Sequence, residues 1–473
     1  MPPSLALLLC TLLVLFLLGL EARGTHGVSL AMWIPTIWML ISASRPLATW
    51  FVGPGRVMGD NEAGSPLDRW VLAGLGVAAI LVLVRRRFDW WGNLRRHKWL
   101  VALLAYMFVS TFWSEITLIA MKRWIRELIV LVMALVILSE ANPRKSLASL
   151  LRRCAYVLIP FSVLLIKYYP TLGRQYGRYS GIQMWTGVTG QKNELGRLCM
   201  ISILFLLWTF YRRWRERVRT SPSYLVWSDL FVIAIAAYLI KGADSATSIA
   251  TLVVGITLFV GLLWVRNMGL KVPRTGLLAA VILLAAYGIS VPFLGGTNVA
   301  DFTSVLGRDS TLTGRTEVWA AVLPATRQHP FLGYGFGSFW TDARRQFYDI
   351  PTGHNGYLDI LLELGAVGLA FFIFWLLSCG RQLHRALVLD YEWASLGICL
   401  LLMSLIYNAT ESALNSLTEY MTAVVVLASL AVPAKLHSRT APVLPVRLTL
   451  DVPSVELEDD VNTHSTKTAL WWM

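Results

Sequence analysis

Charge is scarce in this chain. Only 15% of its residues are charged, whereas a soluble globular chain is nearer a quarter. Hydrophobic residues make up 56% of the chain, the mean hydropathy is +0.58, and long apolar runs recur from end to end. Short regular alternation of polar and apolar residues is absent, which argues against an outer-membrane barrel. The composition therefore excludes an ordinary soluble protein and predicts an all-α polytopic membrane protein.

Several chemical signatures are also missing. The five cysteines show no CxxC spacing and lie in or beside apolar runs, which predicts inert packing residues. The chain has no Walker A loop for ATP, no HExxH or Cys/His metal cluster and no nucleophile elbow. No external loop holds a close Asp-x-Asp pair for a metal-bound diphosphate. We therefore expect a site without cofactor or metal, which works through cationic stabilisation and a base.

The chain does contain a long series of candidate membrane spans. Thirteen apolar segments lie near residues 4–20, 28–43, 70–84, 99–113, 123–139, 149–169, 195–211, 225–240, 246–265, 275–293, 355–378, 392–408 and 415–433. Two arrangements remain open. Either all thirteen cross the membrane and the N-terminus is external, or one of the first two does not cross, which leaves twelve spans and a cytoplasmic N-terminus.

Basic residues distinguish the two sides of the membrane. Five loops together carry 20 Lys and Arg, at residues 85–98, 144–153, 212–219, 266–274 and 381–385. By the positive-inside rule these loops face the cytoplasm. Because the arginine clusters flank membrane spans, they indicate topology, and no nucleic-acid partner is expected. The longest loop on the opposite, external side is 294–354. Residues 434–473 are polar and predict a flexible cytoplasmic tail after a membrane domain at 1–433.

The external loop 294–354 is rich in chemistry. Its second part reads GRTEVWAAVLPATRQHPFLGYGFGSFW and, after a polar run, continues as HNGYLDILLELG into an apolar span. The loop holds several arginines, glycines and two histidines. Arg315, which precedes an apolar stretch, is expected to begin a short helix on the membrane. A basic, histidine-bearing loop at a membrane surface favours an anionic substrate.

His354 is the candidate base. It stands at the N-terminal boundary of a span, where helix N–H groups favour an anion or an unprotonated imidazole. Histidine there can accept a proton near neutral pH. The alternative is an interfacial cap, in which His354 and Asn355 satisfy free N–H groups of the helix. Local sequence leaves both interpretations open.

External arginines are candidate anion ligands, because a guanidinium fork matches phosphate oxygens and stays charged. Those expected to bind substrate are Arg174, Arg178, Arg308, Arg315 and Arg327, whereas Arg344 and Arg345 fit ordinary solvated charge. The segment GQKNELG opens another span and adds Lys192, Asn193 and Glu194 as candidates for substrate binding at the same interface. Asn355, beside His354, is a further candidate for substrate binding. Snorkelling of Lys192 and a helix-terminal charge at Glu194 are the simpler alternatives.

Acidic residues inside the apolar spans form a further group. Asp359 and Glu363 are spaced i, i+4 on the helix behind His354. Ionisable groups at that depth face protein or water and are functional candidates by default. Glu411 and Glu419, beside the last span, are similar but weaker candidates.

These motifs resemble the O-antigen ligase and Wzy-type polymerase superfamily, most closely its exopolysaccharide-polymerase-like branch. The resemblance rests on GRTEVW, HPFLGYGFGSF and HNGYLDILLELGAVG, with GQKNELG upstream, and covers roughly residues 70–435. The spacing His-x10-Gly from His354 to Gly365 is typical of the ligases. So is an Arg-x3-apolar element, matched by Arg315 to Trp319 with Trp in place of the usual Leu. The ligase-like core is expected at about 195–380.

The resemblance implies a glycosyltransferase of the bacterial inner membrane with its active site on the external side. Its donor would be an undecaprenyl-diphosphate-linked glycan, its acceptor a glycan or a lipid, and other polysaccharide assembly proteins its possible partners. Arg315, with Arg174 or Arg178, would hold the diphosphate, and His354 would take the proton of the acceptor hydroxyl. A polymerase is preferred over an O-antigen ligase acting on lipid A core. A transporter or flippase for an anionic lipid-linked glycan remains the rival class, and would place its charges at the membrane midplane.

Overall fold

The fold comes from a computed structural model of the 473-residue chain. The described residues are 1–25, 27–52, 65–176, 181, 183–215, 223–294, 315–350 and 352–431. Arg178, Arg308 and the predicted tail at 434–473 lie outside them. Met1–Pro433 forms one compact unit.

The first part of the chain forms nine helices and a short hairpin. The helices are α1 (Pro3–Gly24), α2 (Trp33–Ser42), α3 (Leu47–Val52), α4 (Pro66–Arg85), α5 (Trp90–Arg96), α6 (Lys98–Ser110), α7 (Thr117–Leu138), α8 (Pro143–Tyr168) and α9 (Pro170–Gly173). Short 3-10 turns at Leu30–Met32 and Thr111–Trp113 extend α2 and α6. Strands β1 (Arg174–Tyr176) and β2 (Gln183–Trp185) pair antiparallel, with Arg174 opposite Trp185.

Nine helices are described in the second part. They are α10 (Lys192–Arg215), α11 (Ser223–Ala243), α12 (Ala246–Asn267), α13 (Arg274–Phe293), α14 (Arg315–Thr326), α15 (Asp342–Tyr348), α16 (Gly356–Leu389), α17 (Tyr391–Asn408) and α18 (Tyr420–Leu430). Short α14 and α15 lie within the predicted external loop, and Arg315 is the first described residue of α14. Side chains cap several helices, and among them Asn355 caps α16 by accepting the N–H of Leu358.

The predicted all-α membrane fold is confirmed, and each of the thirteen predicted spans coincides with a helix. Within the described ranges, nine helices are long and apolar enough to cross a membrane. Three more predicted spans form shorter apolar helices, at Leu30–Ser42, Lys98–Trp113 and Tyr420–Leu430. The remaining one, α7, has sufficient length but carries the charged residues Lys122, Arg123, Arg126 and Glu127. By length and composition, then, nine spans qualify where twelve or thirteen were expected.

The helices differ in how deeply they are buried. Helices α8, α10 and α17 lie mostly inside the bundle, whereas only a small share of α1 and α4 is buried. Apolar residues on exposed helix faces suit contact with lipid chains. The buried trio therefore forms the centre of the protein, and polar groups near the ends of these helices are held in fixed positions.

The long loop contacts the bundle where α16 is interrupted. Gly365 has φ +65° and ψ −168°, which breaks the helical hydrogen bonding. The loop supplies the missing partners: the N–H of Tyr334 donates to the carbonyl of Leu362 at 2.9 Å, and the N–H of Ala366 donates to the carbonyl of Pro330 at 2.9 Å. Unpaired backbone groups are costly in apolar surroundings. The loop segment after His329 is consequently fixed against residues 362–366 of α16.

Candidate active site

The start of α14 brings Arg315 and Trp319 to the N-terminus of α16. Trp319 is almost fully buried and its indole N–H donates to the carbonyl of Gly353 at 2.9 Å. The side chain of Arg315 is only 13% exposed. Trp319 thus fixes the segment before α16. Arg315, one helical turn earlier in α14, presents its guanidinium beside that segment.

His354 adopts a left-handed backbone conformation, with φ +48°. Such a conformation costs a non-glycine residue about 1–3 kcal/mol and persists only where its surroundings enforce it. Here Asp359 accepts the N–H of Gly353 at 3.0 Å. The amide of Asn355 donates to the carbonyls of Gly288 and Ala409 at 2.9 and 2.8 Å. The turn is therefore held rigidly, and the imidazole of His354 is one-quarter exposed.

Glu411 brings the candidate residues together. It follows α17, and its Oε1 accepts hydrogen bonds from Arg315 Nη2 and, at 2.5 Å, from Asn193 Nδ2. Its other oxygen, Oε2, lies 3.4 Å from His354 Nδ1. Four segments of the chain meet at this carboxylate: the start of α10, the start of α14, the turn before α16 and the loop after α17. We call Asn193, Arg315, His354 and Glu411 the Glu411 cluster.

The electrostatics of the cluster favour an ionised Glu411. Burial by itself would raise the pKa of Glu411, but the charge of Arg315 and the hydrogen bond from His354 outweigh burial and lower the pKa. The carboxylate thus stays charged at neutral pH. The guanidinium of Arg315 and the amide of Asn193 thus stabilise a buried negative charge at this position.

Other predicted site residues take different positions. Glu194 accepts the N–H of Gly190 at 2.9 Å, and Lys192 opens α10 beside it. Arg174 donates from Nε to the carbonyl of Ile166 at 2.7 Å, and Arg327 is exposed just past the end of α14. Among the described residues, no hydrogen bond or ion pair joins Arg174 or Arg327 to the Glu411 cluster. Both polar groups of the Asn355 side chain bond to the protein backbone, as expected of a cap.

The remaining polar residues of the loop have structural contacts. Arg344 pairs with Glu115 at 2.6 Å and lies 4.7 Å from the ring centre of Tyr334. Arg345 lies 3.7 Å from Asp342 in the same short helix. His329 packs edge-on against Tyr334, with ring centres 4.6 Å apart. These contacts stabilise the loop and leave His354 as the histidine of the cluster.

Acidic residues in the spans hold irregular segments in place. Glu363 accepts the N–H of Gly337 at 2.9 Å, and Glu127 accepts the N–H of Leu417 at 2.6 Å. Asp359, besides Gly353, accepts the indole N–H of Trp340 at 2.9 Å. Each carboxylate thus satisfies donors of a non-helical segment at the end of the bundle. Asp359 thereby supports the turn that carries His354, and Glu363 supports the loop at Gly337. That either residue is functional stays a prediction.

Glu411 is a weaker candidate by its sequence than by its contacts. Among the described residues, its carboxylate contacts three of the predicted site residues, Asn193, Arg315 and His354. The sequence signal for it is a carboxylate in a short loop between two apolar helices. Among the described residues, no group of three or more His, Cys, Asp or Glu is placed to hold a metal ion.

Comparison with known proteins gives two matches, each over part of the chain. Residues 230–373 match the O-antigen ligase family, a segment that runs from α11 into α16 and contains Arg315 and His354. The chain is also 25% identical over 334 residues to the exopolysaccharide production protein ExoQ of Rhizobium meliloti (strain 1021). This alignment covers 68% of this chain and 73% of that protein. Asn193 and Glu411 lie outside the family match.

The fold and the cluster define a class: a multi-pass helical membrane protein with a buried cluster of arginine, histidine and glutamate. The two matches confirm the predicted resemblance to the O-antigen ligase and polymerase superfamily. The chain is accordingly a membrane enzyme of polysaccharide biosynthesis.

Proposed function

We propose that the chain polymerises an undecaprenyl-diphosphate-linked oligosaccharide at the external face of the bacterial inner membrane. The observation that carries the proposal is the meeting of Arg315 and His354 at Glu411. An arginine fork and a histidine within reach of one carboxylate suit a reaction in which an anion departs and a hydroxyl loses its proton.

The Glu411 carboxylate marks where an oxyanion can be held. A diphosphate oxygen offers the same acceptor to Arg315 as a carboxylate oxygen does. We infer that the donor diphosphate binds beside Glu411 and shares or replaces its contact with Arg315. Arg174, Arg178, Arg308, Arg327 and Lys192 are proposed to contribute further positive charge around the donor.

The proposed step forms one bond and breaks one. The oxygen of an acceptor hydroxyl attacks the anomeric carbon of the donor, and the bond from that carbon to the diphosphate oxygen breaks. The electron pair leaves with the diphosphate, whose charge Arg315 stabilises. His354 Nε2 takes the hydroxyl proton, while Glu411 accepts a hydrogen bond from Nδ1 and stabilises the imidazolium. Neither a metal nor a cofactor takes part in this scheme.

Two products are possible for this chemistry. The similarity to a protein named for exopolysaccharide production favours a growing glycan as the acceptor, and therefore a polymerase. The family match, described as O-antigen ligase, supports transfer to lipid A core as the second candidate. Other polysaccharide assembly proteins are proposed partners in either case.

Purified protein in proteoliposomes tests the proposal directly. Supplied with a short undecaprenyl-diphosphate oligosaccharide, a polymerase lengthens the lipid-linked glycan, which a gel of the glycans resolves as a ladder. A ligase produces no ladder and instead transfers the oligosaccharide to added lipid A core. Movement of the donor across the bilayer without a new glycosidic bond would identify a flippase and overturn the proposal.

A further inference from the structure

Arg45 is a buried arginine that no motif singled out. It lies between α2 and α3 and is only 7% exposed. Its guanidinium contacts carbonyl oxygens of the protein itself. Its Nη2 donates to the carbonyls of Gly187 and Thr189, at 2.8 and 2.7 Å.

Two further bonds join Arg45 to the carbonyl of Val188, one from Nε at 3.4 Å and one from its backbone N–H at 3.0 Å. Three successive carbonyls thus converge on one guanidinium. Buried carbonyls left without a donor are costly, so this arrangement depends on the arginine. We call residues 187–189 the carbonyl turn.

The carbonyl turn leaves little room for adjustment. Gly187 has φ +56°, and a Cβ at this position would lie 2.7 Å from the side chain of Ser162. Ser162 in turn accepts the N–H of Val188 at 3.3 Å. The turn is therefore clamped between α8 on one side and Arg45 on the other.

The carbonyl turn leads directly into the Glu411 cluster. The N–H of Gly190 donates to Glu194, and α10 begins at Lys192. The next residue, Asn193, donates its amide to Glu411. Only three residues separate the end of the clamped turn from the amide that contacts the carboxylate, so a displaced turn moves that amide.

We propose that Arg45 is a positioning residue. It clamps the carbonyl turn and so places Asn193 against Glu411, and Glu411 in turn orients His354. The inference rests on the proposed transfer reaction. It assigns a role in the site to the N-terminal helices, which lie outside the segment matched by the O-antigen ligase family. Lysine cannot replace Arg45, since a single ammonium lacks the planar fork that spans separate acceptors.

A double-mutant cycle tests whether Arg45 acts through Asn193. The four proteins are the parent, Arg45→Lys, Asn193→Ala and the double variant, each compared for kcat and donor KM in proteoliposomes. We expect each single variant to lower kcat about 10- to 100-fold, because small misplacements of reacting groups have effects of this size. The double variant should be no slower than the slower single variant. Losses that multiply in the double variant, or full activity of Arg45→Lys, would overturn the proposal.

Arg86→Lys serves as the matched control. Arg86 also ties early helices to the bundle, through Ser29 and Ser139 at 2.7 Å each, but it lies in a predicted cytoplasmic loop. If Arg86→Lys lowers kcat, its fold-loss should multiply with that of Asn193→Ala in the double variant, because the two residues act independently.

Hydrogen exchange separates this inference from the proposed reaction. Arg45→Lys should speed amide exchange at residues 187–194, and Arg86→Lys should not, whatever reaction the protein catalyses. Unchanged exchange would refute the clamp. Faster exchange with unchanged kcat would refute the link to the cluster while leaving the reaction intact. Absence of transfer by the parent protein would count against the proposed function alone.

Discussion

The carboxylate of Glu411 pairs with the guanidinium of Arg315, although 96 residues separate them in the chain. The pair joins the start of α14, in the long loop predicted to be external, to the turn that follows α17. His354 contacts the other oxygen of the same carboxylate. One acid thereby holds both the proposed diphosphate ligand and the proposed base.

Topology is the first prediction. The single-cysteine variant Pro330→Cys should react with an impermeant thiol reagent added from outside intact cells, whereas Trp91→Cys should react only after permeabilisation. Both positions are exposed in the structure, so access to the reagent depends on the side of the membrane. Labelling of Trp91→Cys alone from outside would reverse the orientation and remove the support for an external site.

Replacement of Arg315 by lysine should abolish most transfer although the charge is kept. Hydrogen bonds to charged groups contribute roughly 1.5–3 kcal/mol, so the loss should be on the order of 10- to 100-fold in kcat/KM. Initial rates of transfer measure it. Arg345→Ala is the control, because Arg345 contacts only the neighbouring Asp342 among the ion pairs of the described residues. Equal tolerance of both changes would mean that Arg315 is ordinary loop charge.

His354→Ala should retain folding and donor binding but transfer little. A positioned base contributes roughly 10²- to 10⁴-fold in rate, and kcat should fall by that factor. Donor binding and single-turnover transfer by the purified variants separate the two effects. His329→Ala serves as the comparison, since that side chain packs against Tyr334. Should His329→Ala be inactive and His354→Ala active, the two roles are reversed.

Glu411→Gln should reduce stability in a pH-dependent manner. Because the pKa of Glu411 is lower when folded, its ionisation stabilises the protein above the ordinary glutamate pKa of 4.5. That contribution is lost as the pH falls through the lowered pKa. The parent should therefore have a higher Tm than Glu411→Gln at pH 7, and the difference should close below pH 4.5. A difference that grows on acidification would contradict the sign of the shift.

Chelation should leave transfer intact. The proposed step uses Arg315 and His354 in place of a metal ion, so EDTA is expected to change the initial rate less than twofold. A metal-dependent glycosyltransferase treated in the same way shows that the chelator is effective. Loss of activity with EDTA and recovery with a divalent cation would require a revised mechanism.

The sequence alone determined where the helices lie. Each of the thirteen apolar segments became a helix, because the length of an apolar run is a local property that the bilayer selects directly. Local sequence also indicated a short helix that contains Arg315, and the motif from His354 to Gly365. The structure adds the physical reason for that spacing: Gly365 breaks α16, and the loop supplies the backbone partners that the break requires.

Only the tertiary structure decided which polar residues meet. Arg174, Arg315 and Arg327 are all predicted anion ligands, yet of these three only Arg315 reaches Glu411. Arg45 and Glu411 gave almost no local signal, because their importance comes from partners more than fifty residues away. Helix formation depends on residues that are neighbours in the sequence. The partner of a buried guanidinium or carboxylate depends instead on which distant donor or acceptor the packed bundle brings within hydrogen-bond distance.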